Sequence, residues 1–380
     1  MSTAATRANE HSEVSSIVHL AFELGNSHWK LALTTGLGQK PRERTIDARD
    51  LEALRKEISR AKRRFGLPRS VQVVSCYEAG RDGFWLHRWL DAEGVENVVV
   101  DSSSIEVKRR ARRAKSDRLD AQRLVWMLVR YQAGERKVWS VVRVPTVEEE
   151  DRRQLHRELE AVKADRTRST NRIKGLLAGQ GTRLEVGGNF PARLDRLRLW
   201  DGSSLPAVLR ARLEREWEKV QLYTQQILEL EAARRRLLRE ATDPELEQVR
   251  QLLGVRGIGV NSAWLFVMEF FSWRQFRSRR EVGGLSGLVP SPYQSGDVSR
   301  DWGIAKAGNR RVRTMAIELA WGWLRHQPNS ALSRWYEERF GKGSRRVRKI
   351  GIVALARRLL IELWRYLETG VLPEGAELKA

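Results

Sequence analysis

Asp117 and Asp120 lie in the stretch Lys115-Ser-Asp-Arg-Leu-Asp-Ala-Gln-Arg-Leu124. They stand three residues apart, the spacing at which a helix projects two side chains from one face. Paired carboxylates on one face offer hard oxygen ligands to a divalent cation. The basic run upstream, residues 108–115, supplies Arg109, Arg110, Arg112 and Arg113, cations suited to phosphate. Acid set inside base is a pattern for phosphodiester chemistry. A plainer reading also stands: Ser116 caps a solvated helix whose first turn carries acids against the positive end of the helix dipole. On these ten residues alone the plainer reading is the stronger.

The whole chain shifts the balance. Its 380 residues allow two or three domains, each with its own core, and carry 70 Lys and Arg against 48 Asp and Glu, a formal charge of +22. The basic residues are mostly arginine, whose planar fork pairs bidentately with phosphate, so nucleic acid is the expected partner. A single cysteine, Cys76, excludes an internal disulfide and a cysteine zinc cluster and fits a reducing, cytoplasmic setting. Apolar runs are interrupted by charge well short of bilayer-spanning length, so no membrane association is expected. The 14 tryptophans are expected mostly in cores, with some stacking on bases.

The elements that must position the acids begin after a polar tail of about 14 residues. Ile17 to Gly25 reads as a buried strand with Glu23 near its end, Trp29 to Thr35 as a second strand and Arg42 to Ile46 as a third. Asp50 to Phe65 has the periodicity of an amphipathic helix. Val71 to Tyr77 is a fourth strand with Glu78 directly after it, followed by a helix from Gly83 to Glu93 and a fifth strand from Asn97 to Asp101. Three antiparallel strands, then alternating helices and parallel strands, with acids at two strand ends and on a late helix, are the layout of an RNase H-like or RuvC-like domain.

Beyond Pro145 the pattern turns helical. Leu155, Leu159, Val162 and Ile173 form one sparse stripe, and Leu213, Trp217, Val220, Thr224 and Ile227 form another between Pro206 and Thr242. The two predict an antiparallel coiled coil or, equally, helices packed on a core. Residues 175–205, rich in Gly, Pro and Asn, read as loop. Leu253-Gly-Val-Arg-Gly-Ile-Gly-Val260 has the form of a helix-hairpin-helix turn, in which Gly257 and Gly259 would let backbone amides approach a phosphate; a plain turn between helices fits the same residues. Helices are expected at 312–324, 331–340 and 347–369.

Phe22-Glu-Leu-Gly25, Tyr77-Glu-Ala-Gly80 and Lys115-Ser-Asp-Arg-Leu-Asp-Ala121 resemble the acidic motifs of the DEDD, RuvC-like transposases of bacterial insertion sequences, the family numbered one hundred and ten. Gly284 to Gly296 and Gly303 to Arg311 resemble the paired motifs of that family's carboxy-terminal domain. The resemblance spans nearly the whole chain, with one departure: the family's first acid is usually Asp, and here it is Glu23. It implies an α/β plus α protein in three parts: a RuvC-like catalytic domain (15–145), a helical coiled-coil region (146–242) and a mostly helical carboxy-terminal transposase domain (243–372).

It further implies an RNA-guided recombinase acting on donor and target DNA, with a guide RNA from the element's end and assembly as a homo-oligomer. Glu23, Glu78, Asp117 and Asp120 would hold Mg²⁺ or Mn²⁺, and Ser295 would be the nucleophile. Ser291 and Ser286 are nearby competitors for that role. Lys306, Asn309, Arg310, Arg311 and Arg313 could hold phosphate. Carboxylates gathered at about 4 Å repel by roughly 4 kcal/mol per pair at an effective dielectric near 20, so such a cluster needs protons or divalent cations. Two other readings remain: a metal-dependent Holliday-junction-type endonuclease with no covalent intermediate, and a non-catalytic nucleic-acid-binding protein.

Overall fold

The computed structural model describes residues 17–80, 83–105, 117–295, 298–306 and 308–379, with backbone alone at 103, 117–118, 292–295 and 298–302. The basic run bearing Arg109, Arg110, Arg112 and Arg113 lies outside the described residues. The chain divides into two compact units, Met1–Pro145 and Thr146–Ala380.

The first unit is built on a five-stranded mixed sheet of order β3-β2-β1-β4-β5. Its strands are β1 (Val18–Leu24), β2 (His28–Thr34), β3 (Arg42–Asp47), β4 (Val73–Glu78) and β5 (Glu96–Val100). β1 sits at the centre, antiparallel to β2 and parallel to β4. Its near-continuous apolar sequence fits a strand covered on both faces. One face carries large residues, among them Leu20, Phe22, Leu31, Leu33 and Val99, packed against Leu54 and Ile58 of helix α1 (Leu51–Arg64) and Leu86 and Leu90 of α2 (Trp85–Ala92). The other carries Ala21, Ala32, Val74 and Cys76, whose small side chains let the backbone of α3 (Asp117–Gln132) come close. The Cys76 thiol lies 3.8 Å from the Leu124 carbonyl.

In the second unit, α4 (Val147–Ala178) and α6 (Ala207–Glu240) pack side by side. Leu159 and Val162 in the first half of α4 meet Ile227 in the second half of α6, while Ile173 and Leu177 at the end of α4 meet Leu213 and Val220 in the first half of α6; the pair is therefore antiparallel. Thr146 and Glu149 form a reciprocal capping box at the start of α4, which satisfies two otherwise open amides. The stretch between them is not all loop. Pro191 at the first turn and buried Phe190 and Leu194 set up a seven-residue helix, α5 (Phe190–Arg196), too short to show a period in the sequence.

The remainder of the unit closes around one large core. It comprises α7 (Pro244–Gly254), α8 (Val260–Phe266), α9 (Arg279–Leu285), a hairpin of β6 (Pro290–Ser295) and β7 (Val298–Ile304), α10 (Arg310–His326), α11 (Ala331–Tyr336) and α12 (Arg345–Thr369). A π-helical turn, Val267–Phe271, extends α8 and carries Glu269 into this core. No helix among the described residues is long and apolar enough to cross a membrane.

Candidate active site

In the first unit, Glu23 and Glu78 stand at the carboxyl ends of adjacent parallel strands. The β1–β4 register ends at Phe22 beside Tyr77, so the two glutamates are next in line. Side chains alternate along a strand; Glu23 therefore follows Ala21, and Glu78 follows Cys76, onto the face that α3 covers. Glu23 is half-buried and Glu78 exposed. Directly after Glu23 the chain must turn: the Gly25 amide bonds the His28 carbonyl at 3.1 Å, and a Cβ at residue 25 would collide with that oxygen.

The first turns of α3 reach the same level. Lys30 lies directly opposite Glu23 on β2, and Lys30, Glu43 and Ala121 line one small cavity of about 290 Å³. Asp120, next to Ala121, keeps a quarter of its side chain exposed and lies 4.0 Å from the Arg123 guanidinium. Asp117 opens α3; its side chain lies outside the described residues. Glu23, Glu78 and the turn bearing Asp120 thus share one face and one end of the sheet. Among the described residues no three His, Cys, Asp or Glu side chains gather closely enough to hold one ion. The donor chemistry, hard carboxylate oxygens, nonetheless suits Mg²⁺ or Mn²⁺.

Three groups at this end were not read from the sequence. Lys30 brings a cation among the acids and hydrogen-bonds Thr45 at 2.8 Å. Glu43, opposite Ala32 on β3, accepts a hydrogen bond from Gln122 of α3. Asp101 follows β5 directly, and its amide bonds the Ser140 carbonyl. Only strand register puts Lys30 and Glu43 on the α3 side, and register is not legible before pairing is known.

The second unit holds the other candidates. Ser295 is the last residue of β6, paired with Val298 at the tip of the hairpin; its side chain is outside the described set. Ser286 is fully buried, and its hydroxyl donates to the Gly283 carbonyl at 2.9 Å, so it is closed to substrate. Past the hairpin, Gly308 (φ +88°) lies so close to α9 that a Cβ would collide with the Leu285 carbonyl. Asn309 then caps α10, its side-chain oxygen accepting from the Arg311 and Val312 amides at 3.0 and 3.3 Å. Lys306, at φ +58°, and Arg310 are exposed.

Arg311 also has carboxylate neighbours within the second unit. Its guanidinium lies 3.3 Å from Glu160 of α4 and 3.6 Å from Glu269. Burial alone pushes the Glu269 carboxyl up, but the hydrogen-bonded Arg157 and the neighbouring Arg153 and Arg311 outweigh it and hold the group below the usual carboxylate range. Gly257, at φ +88°, serves packing: a Cβ there would sit 2.8 Å from that of His326. Gly259 caps α8 and leaves open space beside it.

Residues 249–337 match the family model described as the IS116/IS110/IS902 transposase family. A putative transposase of Sinorhizobium fredii, y4rJ, is 42% identical over 379 residues, covering 95% of this chain and 94% of its own length. The chain belongs to this transposase family. More distant relatives include the transposase of insertion sequence element IS1328 from Yersinia enterocolitica, 26% identical over 66% of this chain and 71% of its own. Another, the transposase of element IS1111A from Coxiella burnetii, is 26% identical over 68% of each. In this transposase-family chain the matched segment runs from α7 through α11. It contains Ser295, Lys306 and the Asn309 cap, whereas the acids of the sheet lie outside it.

Proposed function

We propose that this family member is an insertion-sequence transposase that cuts and rejoins DNA through an acidic, RuvC-like first unit and a serine-bearing second unit. The observation that carries the reading is the register of β1 and β4, by which Glu23 and Glu78 end neighbouring strands on the face covered by α3, the helix that carries Asp120. Acids collected there, in a chain of charge +22, are of little use for holding polyanions by themselves and suit a hard cation.

Glu23, Glu78, Asp117 and Asp120 would be its ligands. Bound Mg²⁺ or Mn²⁺ would supply Lewis-acid stabilisation of charge on phosphate oxygens. The chain's own residues do the rest. Ser295 attacks phosphorus through its hydroxyl oxygen, forming a phosphoserine ester as the sugar oxygen leaves, and a second attack by a sugar hydroxyl releases the serine and rejoins DNA. Lys306 and Arg310 neutralise the flanking backbone. A guide RNA selecting donor and target is consistent with the basic charge, as is assembly of several copies around two DNA segments.

The deciding experiment is strand exchange between donor and target DNA in the presence of the element's transcript. Asp120→Asn should abolish exchange while leaving DNA binding within about twofold. Retained exchange in that variant removes the metal site from the mechanism.

A further inference from the structure

Between α4 and α6, edged by residues 186–188, lies a groove of about 640 Å³ that none of the residues above uses. Its lining contains no Asp or Glu. It holds the cations Arg166 and Lys174, the amides Asn171, Gln221 and Gln225, and the indole of Trp217. The Trp217 ring is half-buried and rests on Phe190 at 5.2 Å.

The ion pairs along α4 single out this groove. Arg152 pairs with Asp243 and Glu245, Arg153 with Glu150, Arg157 with Glu269, Lys163 with Glu231, Arg168 with Asp165 and Arg172 with Glu216. Of the lysines and arginines of α4, only Arg166 and Lys174 have no carboxylate partner among the described residues, and both face the groove. Eight residues apart, they stand about 12 Å from one another along the helix. Unneutralised cations, amides able both to donate and to accept, and an aromatic ring together recognise a nucleotide: phosphate, base edge and base face. The volume is that of a small-ligand site, enough for a nucleotide.

We propose that this groove binds an unpaired nucleotide of DNA, with phosphates on Arg166 and Lys174, the base against Trp217 and its edge on the amides of Asn171 and Gln221, the Gln225 amide already donating to Glu229 at 2.8 Å. The assignment to DNA rests on reading the chain as a strand-exchanging enzyme, since a strand passing between two duplexes is unpaired on the way.

The test uses the full-length protein and three fluorescent probes of one sequence: single-stranded DNA, the corresponding duplex and single-stranded RNA. The double variant Arg166→Gln, Lys174→Gln should weaken single-stranded DNA binding at least fivefold and lower its log-affinity against log-salt slope by about 1.4, at about 0.7 per phosphate. Duplex binding and the melting temperature should not change. Iododeoxyuridine in the single strand should photocrosslink to Trp217. An unchanged slope, an equal loss on duplex or a crosslink elsewhere overturns the site, and tighter RNA binding with the same dependence on the two cations overturns its assignment to DNA. Should the groove fail these binding tests, covalent protein–DNA adducts formed by the wild type would leave the recombinase reading standing. Their absence in the wild type, with intact groove binding, would do the reverse.

Discussion

Arg157 of α4 donates two hydrogen bonds, 2.6 and 2.8 Å, to the carboxylate of Glu269, which the π-helical turn after α8 buries in the core of the second unit. Because Arg311 at the start of α10 approaches the same carboxylate, this one acid ties α4 to the segment that follows the hairpin. Removing one partner of a fully buried pair costs about 3–5 kcal/mol. Arg157 retains 36% of its side-chain exposure, so Glu269→Gln should cost less, about 2 kcal/mol by denaturant titration. The folded pKa of Glu269 is depressed. Its contribution is therefore present above the ordinary carboxylate range and lost as pH falls through the folded value. The variant's deficit should shrink in acid, and a deficit independent of pH would contradict this role.

His156, one residue before Arg157, gives a second pH dependence, coupled to the first because the Glu269 charge partly offsets the lowering of its pKa. Its ring is 2% exposed with neither nitrogen hydrogen-bonded, the Glu160 carboxylate standing 3.5 Å from Nε2, and burial, with the charge of Arg234 secondary, lowers its pKa to about 4. Between the unfolded value near 6.5 and about 4 the unfolded chain binds the extra proton, so stability is full above 6.5 and falls as pH drops through that window. The upper limit of the loss is about 3 kcal/mol. His156→Leu should flatten the melting temperature against pH between 6.5 and 4 while leaving the neutral value nearly unchanged. An unaltered profile would place the acid sensitivity elsewhere.

Gly308 is required by contact as well as by backbone angle. Gly308→Ala would set a methyl group against the Leu285 carbonyl and displace the Asn309 amide, which bonds that same oxygen at 3.0 Å. We expect a loss of about 2 kcal/mol or more, since alanine at positive φ is strained even where space is free. Strand exchange should fall by at least tenfold, because the loop carries Lys306 and the α10 cap. A variant with wild-type stability would mean that the loop relaxes at little cost.

How much of this was legible beforehand varied with the physics of each element. β1, β2 and β4 are apolar runs bounded by turn residues, and the sequence-based boundaries agree to within about two residues. The β6–β7 hairpin was not foreseen as strands, because Pro290 and Pro292 argue against a ladder; a two-stranded sheet consists only of edges and tolerates them. Arg311 looked like any other basic residue in a basic segment. Its carboxylate neighbours, Glu160 and Glu269, are far off in sequence, so nothing local announces them. A lone glutamate inside the apolar run Trp264 to Phe271 was the available signal for Glu269.

At the sheet end, the sharpest single test is Glu23, which the proposed reading makes a metal ligand at the end of β1. Glu23→Gln should reduce strand exchange by at least a hundredfold if the carboxylate is a metal ligand, and Glu23→Asp should restore most of it. Lys30, directly opposite, opposes cation binding, so Lys30→Met should lower the half-saturating Mg²⁺ concentration severalfold. Wild-type exchange in Glu23→Gln would remove that residue from the ligand set and leave Glu78, Asp117 and Asp120.

Ser295 is the last residue of β6, paired with Val298 of β7. If it attacks, a protein–DNA adduct must accumulate when the second transfer is slowed, for instance on a nicked target lacking the accepting hydroxyl. The adduct should survive denaturing electrophoresis because its phosphoserine ester is covalent. It should be lost in Ser295→Ala. Ser286→Ala should still form it, since that hydroxyl is fully buried and donates to Gly283; Ser291→Ala should form it as well. The adduct should also require divalent metal and Asp120, because a serine hydroxyl with an ordinary pKa does not attack phosphorus at neutral pH unaided. Loss of the adduct in Ser291→Ala and its persistence in Ser295→Ala would transfer the role to Ser291. Strand exchange with no adduct trapped from any form of the protein would instead point to direct attack by water and remove the covalent step altogether.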